Sequence, residues 1–361
     1  MNKKYELYCI DCFEWLKKRD SNSLDLMVTS PPYYNARDYS QWNSLEDYMN
    51  DMEKIFSELY RCMKNHKYIV VNVGDIIGKV GKTTWSTKKI PLGAMFTVML
   101  EKIGFQFIDD YIWDKGEPQS KRHLGNPQYP FYQYPVNSYE HILIFAKHEL
   151  DKTKIPCPSC NETIVVSNGQ SSLGVQGWEC KNPECNDKSK TNRGKRFSQR
   201  SIMMNKYQKE ENFIDSEFIK KWRRDIVKIN PVVKINSKGE NIVGHSAPFP
   251  KEIPEMAIKY FSGVGDIVVD IFSGSGTTGV ACIENNRRYI GLEIQENYYN
   301  LSKERLSRLD KLDSSNSYEV IEYKSKINKY KDNSKDKKIK DRLFNTEIDC
   351  SDDIQLKFIC S

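Results

Sequence analysis

Long apolar runs are missing from this 361-residue sequence. The longest, 68–73 and 142–146, fall far short of the ~20 residues that cross a bilayer, so no membrane partner is expected. An apolar leader is missing too. Met1-Asn2-Lys3-Lys4 runs straight into the polar pair Tyr5-Glu6, and the expectation is a protein of the prokaryotic cytoplasm. Charge of one sign is scarce, with a formal net charge of only +6. That balance permits a polyanionic partner and does not demand one. Internal repeats are absent. Six of the ten cysteines, Cys9, Cys12, Cys62, Cys282, Cys350 and Cys360, are scattered, which suits free thiols in a reducing compartment.

What is present suffices for a sizeable core: 39% hydrophobic and 12% aromatic residues. The length fits one large domain with insertions, or two to three domains. Residues 5–110 alternate short apolar runs with helical patterns, which argues for a parallel α/β sheet. The clearest helix follows Ser44, an N-cap with Glu46 and Asp47 in the first turn. Leu45, Tyr48, Met49, Met52, Ile55, Phe56, Leu59 and Tyr60 then recur at helical spacing. The segment 74–89 reads as a loop, 91–103 as a helix stopped by Gly104, and 105–114 and 138–146 as strands. The pattern breaks near Lys147 and resumes at His245. From there come a helix carrying Ile253, Met256 and Ala257, an apolar strand at 266–272, a glycine turn, a helix at 278–285 and a strand at 289–294.

Two stretches carry chemistry. The first is Leu24-Asp25-Leu26-Met27-Val28, running into Thr29-Ser30-Pro31-Pro32-Tyr33. Two prolines cannot extend a ladder, so the strand ends at Ser30 in a rigid hook. A hydroxyl (Ser30), a carbonyl (Pro31) and a ring (Tyr33) then share one small space at the carboxyl end of a strand, where open α/β sheets place ligands. Two acceptors and a ring suit a flat group with an amino function, such as a nucleobase.

The second is Asp270-Ile271-Phe272-Ser273-Gly274-Ser275-Gly276, a turn between strand and helix with Glu293 about 20 residues on. It lacks the third glycine of a dinucleotide fingerprint and the Gly-Lys-Thr of a P-loop. A ligand with a carboxylate, an ammonium and a ribose fits better. The amides of Gly274 and Gly276 suit the carboxylate, Asp270 the ammonium and Glu293 the ribose hydroxyls. S-adenosylmethionine is such a ligand. Phe272 and Thr277 flank the same turn and belong to the expected set.

With these motifs the chain resembles the amino-methyltransferases of DNA, which modify the exocyclic N4 of cytosine or N6 of adenine. Ser30-Pro31-Pro32-Tyr33 matches their catalytic motif, and Asp270 to Gly276 their cofactor motif. His245-Ser246-Ala247-Pro248-Phe249-Pro250 resembles the segment that closes over the methionine end of the cofactor. The resemblance covers about 1–150 and 243–310. Here the catalytic motif precedes the cofactor motif, with a long insert between them. This resembles the family's β-type order and implies a circularly permuted Rossmann-like methyltransferase sheet. The resemblance also implies double-stranded DNA as partner, a flipped-out base under Tyr33, and a cognate restriction endonuclease. Ser30 Oγ and the Pro31 carbonyl would accept hydrogen bonds from the base amine. Asp11 would contact the cofactor's adenine; read from the residues alone, it equally caps the helix at Cys12. Serine in the first motif position resembles the N4-cytosine members, so cytosine is the expected base and adenine the alternative. A catalytically silent DNA-binding relative and an RNA or protein-glutamine methyltransferase are further alternatives. The intact motif residues argue against the silent one.

The insert is expected to divide the chain. The methyltransferase core would span 1–150 and 241–310, a zinc ribbon 151–190, a target-recognition region 191–240 and a basic extension 311–361. Cys157, Cys160, Cys180 and Cys185 form two knuckles at metal-ligand spacing, and four thiolates close a structural zinc site with no open position. Downstream, Lys188 to Lys234 is rich in lysine and arginine, interleaved with Phe197, Tyr207, Phe213, Phe218 and Trp222. This is where phosphate and base-edge contacts are expected.

Overall fold

The alternation expected from the pattern is borne out in the architecture. The structure, a computed structural model, describes residues 4–35, 41–80, 84–116, 137–172, 174–187, 194–232, 249–312 and 321–324. The chain begins with β1 (Tyr5–Cys9), α1 (Cys12–Lys18), β2 (Leu24–Thr29), α2 (Leu45–Cys62) and β3 (Met63–Val73). Next come β4 (Ile76–Val80), β5 (Thr84–Ile90), α3 (Leu92–Ile103), β6 (Gln106–Asp114) and β7 (Tyr139–Ala146). The insert holds β8 (Val165–Gln170), β9 (Gln176–Cys180), β10 (Arg196–Ser198), α4 (Gln199–Tyr207), α5 (Ser216–Trp222) and β11 (Ile226–Lys228). The last part is α6 (Glu252–Phe261), β12 (Ile267–Asp270), α7 (Thr277–Glu284), β13 (Arg288–Glu293), α8 (Glu296–Leu312) and β14 (Ile321–Lys324).

Among the described residues, nine strands form one sheet in the order β11-β6-β7-β3-β2-β12-β13-β1-β14. Only β7 runs against its neighbours, β3 and β6; every other pairing in this sheet is parallel. The late strands β12 and β13 therefore lie between the early strands β2 and β1. One edge of the sheet collects the carboxyl ends of β1, β2, β3, β12, β13 and β6, together with the start of β7.

Both faces of the sheet are covered, which is why β2 is buried at all six positions and reads as a nearly continuous apolar run. Met27 and Ile69 pack on one face with Phe56 and Leu59 of α2 and Phe96 of α3. Leu26, Val28 and Val70 pack on the other with Met256 of α6 and Val280 and Ala281 of α7. Ser44 caps α2 by accepting from Asp47 N at 3.0 Å, and α3 stops at Gly104, whose φ of 118° suits glycine.

Some expectations need correction. Residues 74–89 are not a loop throughout: β4 and β5 pair there as an antiparallel hairpin. Their β-branched residues outweigh the intervening glycines and lysines. The spacing of the helix after Ser44 carries it to about 64–66, whereas Met63 already begins β3 directly after α2. In the insert, β10 pairs with β9 to make a three-stranded sheet, so this unit extends past residue 190 to Ser198. Farther on, β11 joins the main sheet beside β6, and Trp222 is buried against Tyr111. No described helix is long and apolar enough to cross a membrane.

Candidate active site at the carboxyl edge of the sheet

The hook is held from behind. Thr29 is fully buried and pairs with Val71, and the ladder ends where the prolines begin. The Tyr48 hydroxyl donates to the Pro32 carbonyl at 3.0 Å, which ties the hook to α2. Asn35, at a φ of 47°, brackets Trp42 with hydrogen bonds of 2.9 and 2.7 Å. The Tyr33 hydroxyl donates to Glu140 Oε2 at 2.9 Å. Burial, reinforced by the Glu140 charge, pushes that phenol well above its usual pKa, so it remains a donor.

The glycine turn is braced in the same way. Gly276 has a φ of 75°, and a methyl there would lie 2.3 Å from Ser302 Oγ. Arg305 donates to Ser275 O at 3.3 Å and to Thr277 Oγ1 at 3.2 Å. Glu293 reaches back into the turn, with Oε2 accepting from Gly274 N and Oε1 from Gln295 N, both at 2.8 Å. Burial raises its carboxyl to about 7, against the pull of these amides. Asp11 caps α1, accepting from Phe13 N at 2.8 Å and Glu14 N at 3.2 Å; burial raises its pKa as well.

The two motifs meet at one cavity of about 300 Å³. Asp11, Ser30, Pro31, Pro32, Tyr33, Phe272, Gly274, Thr277 and Glu293 all line it. Asp270 and Gly276 do not. Asp270 is fully buried, accepting from Thr29 Oγ1 and Thr278 Oγ1, each at 2.6 Å, and from Phe272 N at 3.1 Å. Its carboxyl, raised to about 6 by burial, joins the catalytic strand, the turn and α7 from behind. Fully buried and outside the cavity lining, it does not face an ammonium there, which corrects the role expected for it. Gly276 is required for backbone shape.

Sequence reasoning missed Asn72, Trp113, Lys115, Glu140, Pro231 and Val232, which also line the cavity. The signal for the first four was the sheet edge itself. Lys115 follows the end of β6, and Glu140 pairs with Trp113 near the start of antiparallel β7. Phe249 lines the cavity as well, while 245–248 of its segment lie outside the described residues.

Away from the cavity, Cys157, Cys160, Cys180 and Cys185 bring their sulfurs within 4.8 Å of one another, with Cys160 and Cys180 at 3.8 Å. Tetrahedral thiolates about 2.3 Å from a zinc ion stand about 3.8 Å apart, so the donor set fits that ion. A backbone amide at Glu162 lowers the Cys160 thiol to about 7, while burial lifts Cys180 to about 12. Downstream of the cysteine unit in the chain, Lys206, Lys209, Lys220, Lys221, Arg223, Arg224 and Lys228 are exposed. Lys188, Lys190, Arg193 and Lys234 of the basic stretch, and most of 311–361, lie outside the described residues.

The profile of a DNA methylase family, spanning N6 and N4 types, matches residues 24–304. The chain belongs to this DNA methylase family. Among relatives, the Type II beta methyltransferase M.BslI of Bacillus sp. (strain NEB-606) is 37% identical over 300 residues. The match covers 82% of this chain and 27% of M.BslI, so the chain spans about a quarter of that relative. A putative DNA modification methylase of Thermus thermophilus, solved with S-adenosyl-L-methionine, has the same fold, with a TM-score of 0.56 and 24% identity over 88% of this chain and 99% of that one. The cytosine-N4-specific PvuII DNA methyltransferase shares it too, with a TM-score of 0.51 and 18% identity over 87% and 90%. The methylase fold is thus a mixed α/β fold around a mostly parallel sheet.

Proposed function

We propose that the chain transfers a methyl group from S-adenosylmethionine to the exocyclic N4 of a cytosine turned out of double-stranded DNA, as half of a restriction-modification pair. What carries this reading is the meeting of the Ser30-Pro31-Pro32-Tyr33 hook with Phe272, Gly274 and Glu293 around one cavity. The cofactor supplies an electrophilic methyl on a sulfonium. Glu293 would hold the ribose hydroxyls and Asp11 the adenine, with Phe272, Gly274 and Thr277 completing that wall; the Gly274 amide expected for the carboxylate instead donates to Glu293. Asp270 and Gly276 shape the turn from behind.

Tyr33 would stack on the base, its ring plane set by Glu140. Ser30 Oγ and the Pro31 carbonyl would accept the two amine hydrogens. That turns the nitrogen lone pair out of the ring's conjugation and toward the methyl group. Positioning of this kind needs no strong base and no cysteine nucleophile. Serine in the first motif position supports cytosine over adenine.

The chain order supports a circularly permuted sheet, with the cofactor strands β12 and β13 following the catalytic strand β2 in sequence. Cys157, Cys160, Cys180 and Cys185 would bind structural zinc. The functional division into a core (1–150 and 241–310), ribbon (151–190), recognition region (191–240) and extension (311–361) is kept, with the third strand of the ribbon taken from the first residues of the recognition region. The exposed lysines and arginines of α4 to β11 would meet DNA phosphates, in the cytoplasm.

The test is incubation of unmethylated duplex DNA with labelled cofactor, followed by nucleoside analysis. Label in N4-methylcytidine is expected. Label in N6-methyladenosine would move the target to adenine, label only in RNA would replace the substrate, and no transfer would defeat the reading.

A further inference from the structure

The base-facing end of the cavity holds three polar side chains not yet given a contact to the base: Asn72, Lys115 and Glu140. The sheet places them. Asn72 follows Val71, the partner of Thr29, and lines the same cavity as Ser30. Lys115 and Glu140 come from neighbouring strand ends on the same edge.

Glu140 joins the group. Its Oε2 accepts from the Tyr33 hydroxyl at 2.9 Å, and its Oε1 pairs with Lys115 Nζ. The Lys115 ammonium also lies 4.9 Å over the Trp113 ring, and its backbone N–H donates to Ser138 O at 2.8 Å. Gly74 makes room for the carboxylate, since a methyl there would sit 2.8 Å from Glu140 Cγ. Asn72 is 2% exposed. Its Nδ2 donates to the His141 carbonyl at 3.1 Å, which fixes the amide orientation. Its Oδ1 is left buried without a hydrogen-bond partner beside the hook. A buried acceptor of that kind calls for a donor brought by a ligand or by a reoriented neighbour.

Resting on the methyl-transfer reading above, we propose that Lys115, held by Glu140, reads the edge of the target base next to its amine while Asn72 orients Ser30, and that the edge Lys115 fits is that of cytosine. An ammonium has three N–H donors, and Glu140 occupies one. Two remain. Cytosine presents two acceptors in succession beside its amine, N3 and O2. Adenine presents one, N1, followed by a C–H. The amine hydrogens go to Ser30 Oγ and the Pro31 carbonyl. The Ser30 hydroxyl bonds the Tyr33 phenol in the free protein; with the base bound, its hydrogen would turn to Asn72 Oδ1 and leave an Oγ lone pair for the base. Glu140 balances the Lys115 charge, which would otherwise oppose the positive charge developing on the amine nitrogen. It also keeps the Tyr33 ring in place for stacking.

The test uses the full chain and duplex oligonucleotides carrying either the mapped target cytosine or 3-deazacytosine, in which a C–H replaces N3. The wild-type kcat/KM should fall at least about tenfold on the analogue, the loss expected for a hydrogen bond from a charged donor. Lys115→Met should lose about as much on cytosine and nothing further on the analogue, with cofactor affinity and Tm unchanged. Lys115→Arg should recover part of the discrimination. A Lys115→Met variant as selective as the wild type would overturn the proposal, and so would a parallel loss of cofactor affinity. Methylation of adenine alone would overturn the cytosine fit while leaving methyl transfer intact. Transfer to no base would overturn both readings together.

Discussion

The main sheet and the cysteine unit are supported by different physics. In the sheet, β2 is buried at every position and both faces are covered by helices. Its cysteines, Cys9, Cys12, Cys62 and Cys282, act as small buried hydrophobes. In the cysteine unit, β8 buries only Val165 of its six residues. The cluster beneath it consists of Val165, Trp178, Phe197 and three of the four clustered cysteines. Such a core is too small to offset the conformational entropy of the chain that surrounds it, and small units of this kind usually need a cross-link or a metal. Apolar area therefore holds the region that carries the cavity, while the region inserted into it has the four clustered cysteines and the proposed metal site in place of such a core.

The strongest way to break this contrast is metal removal. Dialysis against a chelator, or Cys160→Ser, should unfold the three-stranded unit, since a structural zinc site contributes on the order of 10 kcal/mol to its own fold. Hydrogen exchange should show β8–β10 losing protection while β2 and β12 keep theirs. Retained protection in β8–β10 would mean that the thiols are not the support.

The converse experiment strikes the sheet. Met27→Ala should cost about 2–5 kcal/mol, read as a fall in the main unfolding transition, with the exchange protection of β8–β10 unchanged. Within the sheet, structure and chemistry should also separate. Ser30→Ala should lower kcat by roughly 10²- to 10³-fold while leaving Tm and cofactor affinity unchanged. Equal losses in turnover and affinity would remove the role given to that hydroxyl.

The smallest effect concerns Glu293. Burial raises its carboxyl to about 7, above an unfolded value of about 4.3. Its contribution to stability is thus full below about 4.3 and is lost as pH rises through about 7. Cofactor affinity should move the other way, rising about tenfold from pH 6 to 8 as the carboxylate forms and accepts the ribose hydroxyls. Calorimetric titration of Glu293→Gln should give a flat profile. A slope as steep as that of the wild type would assign the titration to another group.

The elements most legible in the sequence were those with a local cause. Ser44 declared the start of α2, and the helical spacing of Tyr48, Met52, Ile55 and Leu59 declared its buried face. The two prolines ended β2 at Thr29, one residue before the expected Ser30. The hairpin at β4 and β5 was hidden, because glycine and lysine between β-branched residues look like loop composition. Asp270 was read as facing a ligand because it stands next to a glycine turn. It turned out to serve two threonines, one of them 241 residues away in sequence.

By itself, the sequence determined an alternating α/β chain, a proline hook, a glycine turn with a following acid, and four cysteines at metal spacing. All of these rest on interactions within a few residues, where backbone sterics and hydrophobic period decide the outcome. Only the tertiary structure decided that hook and turn share one cavity and that Asp270 lies behind it. It also decided that Glu140 and Lys115 stand beside Tyr33. Those relations depend on which strands pair, and pairing follows from burying both faces of the sheet at once, a condition that no local pattern states.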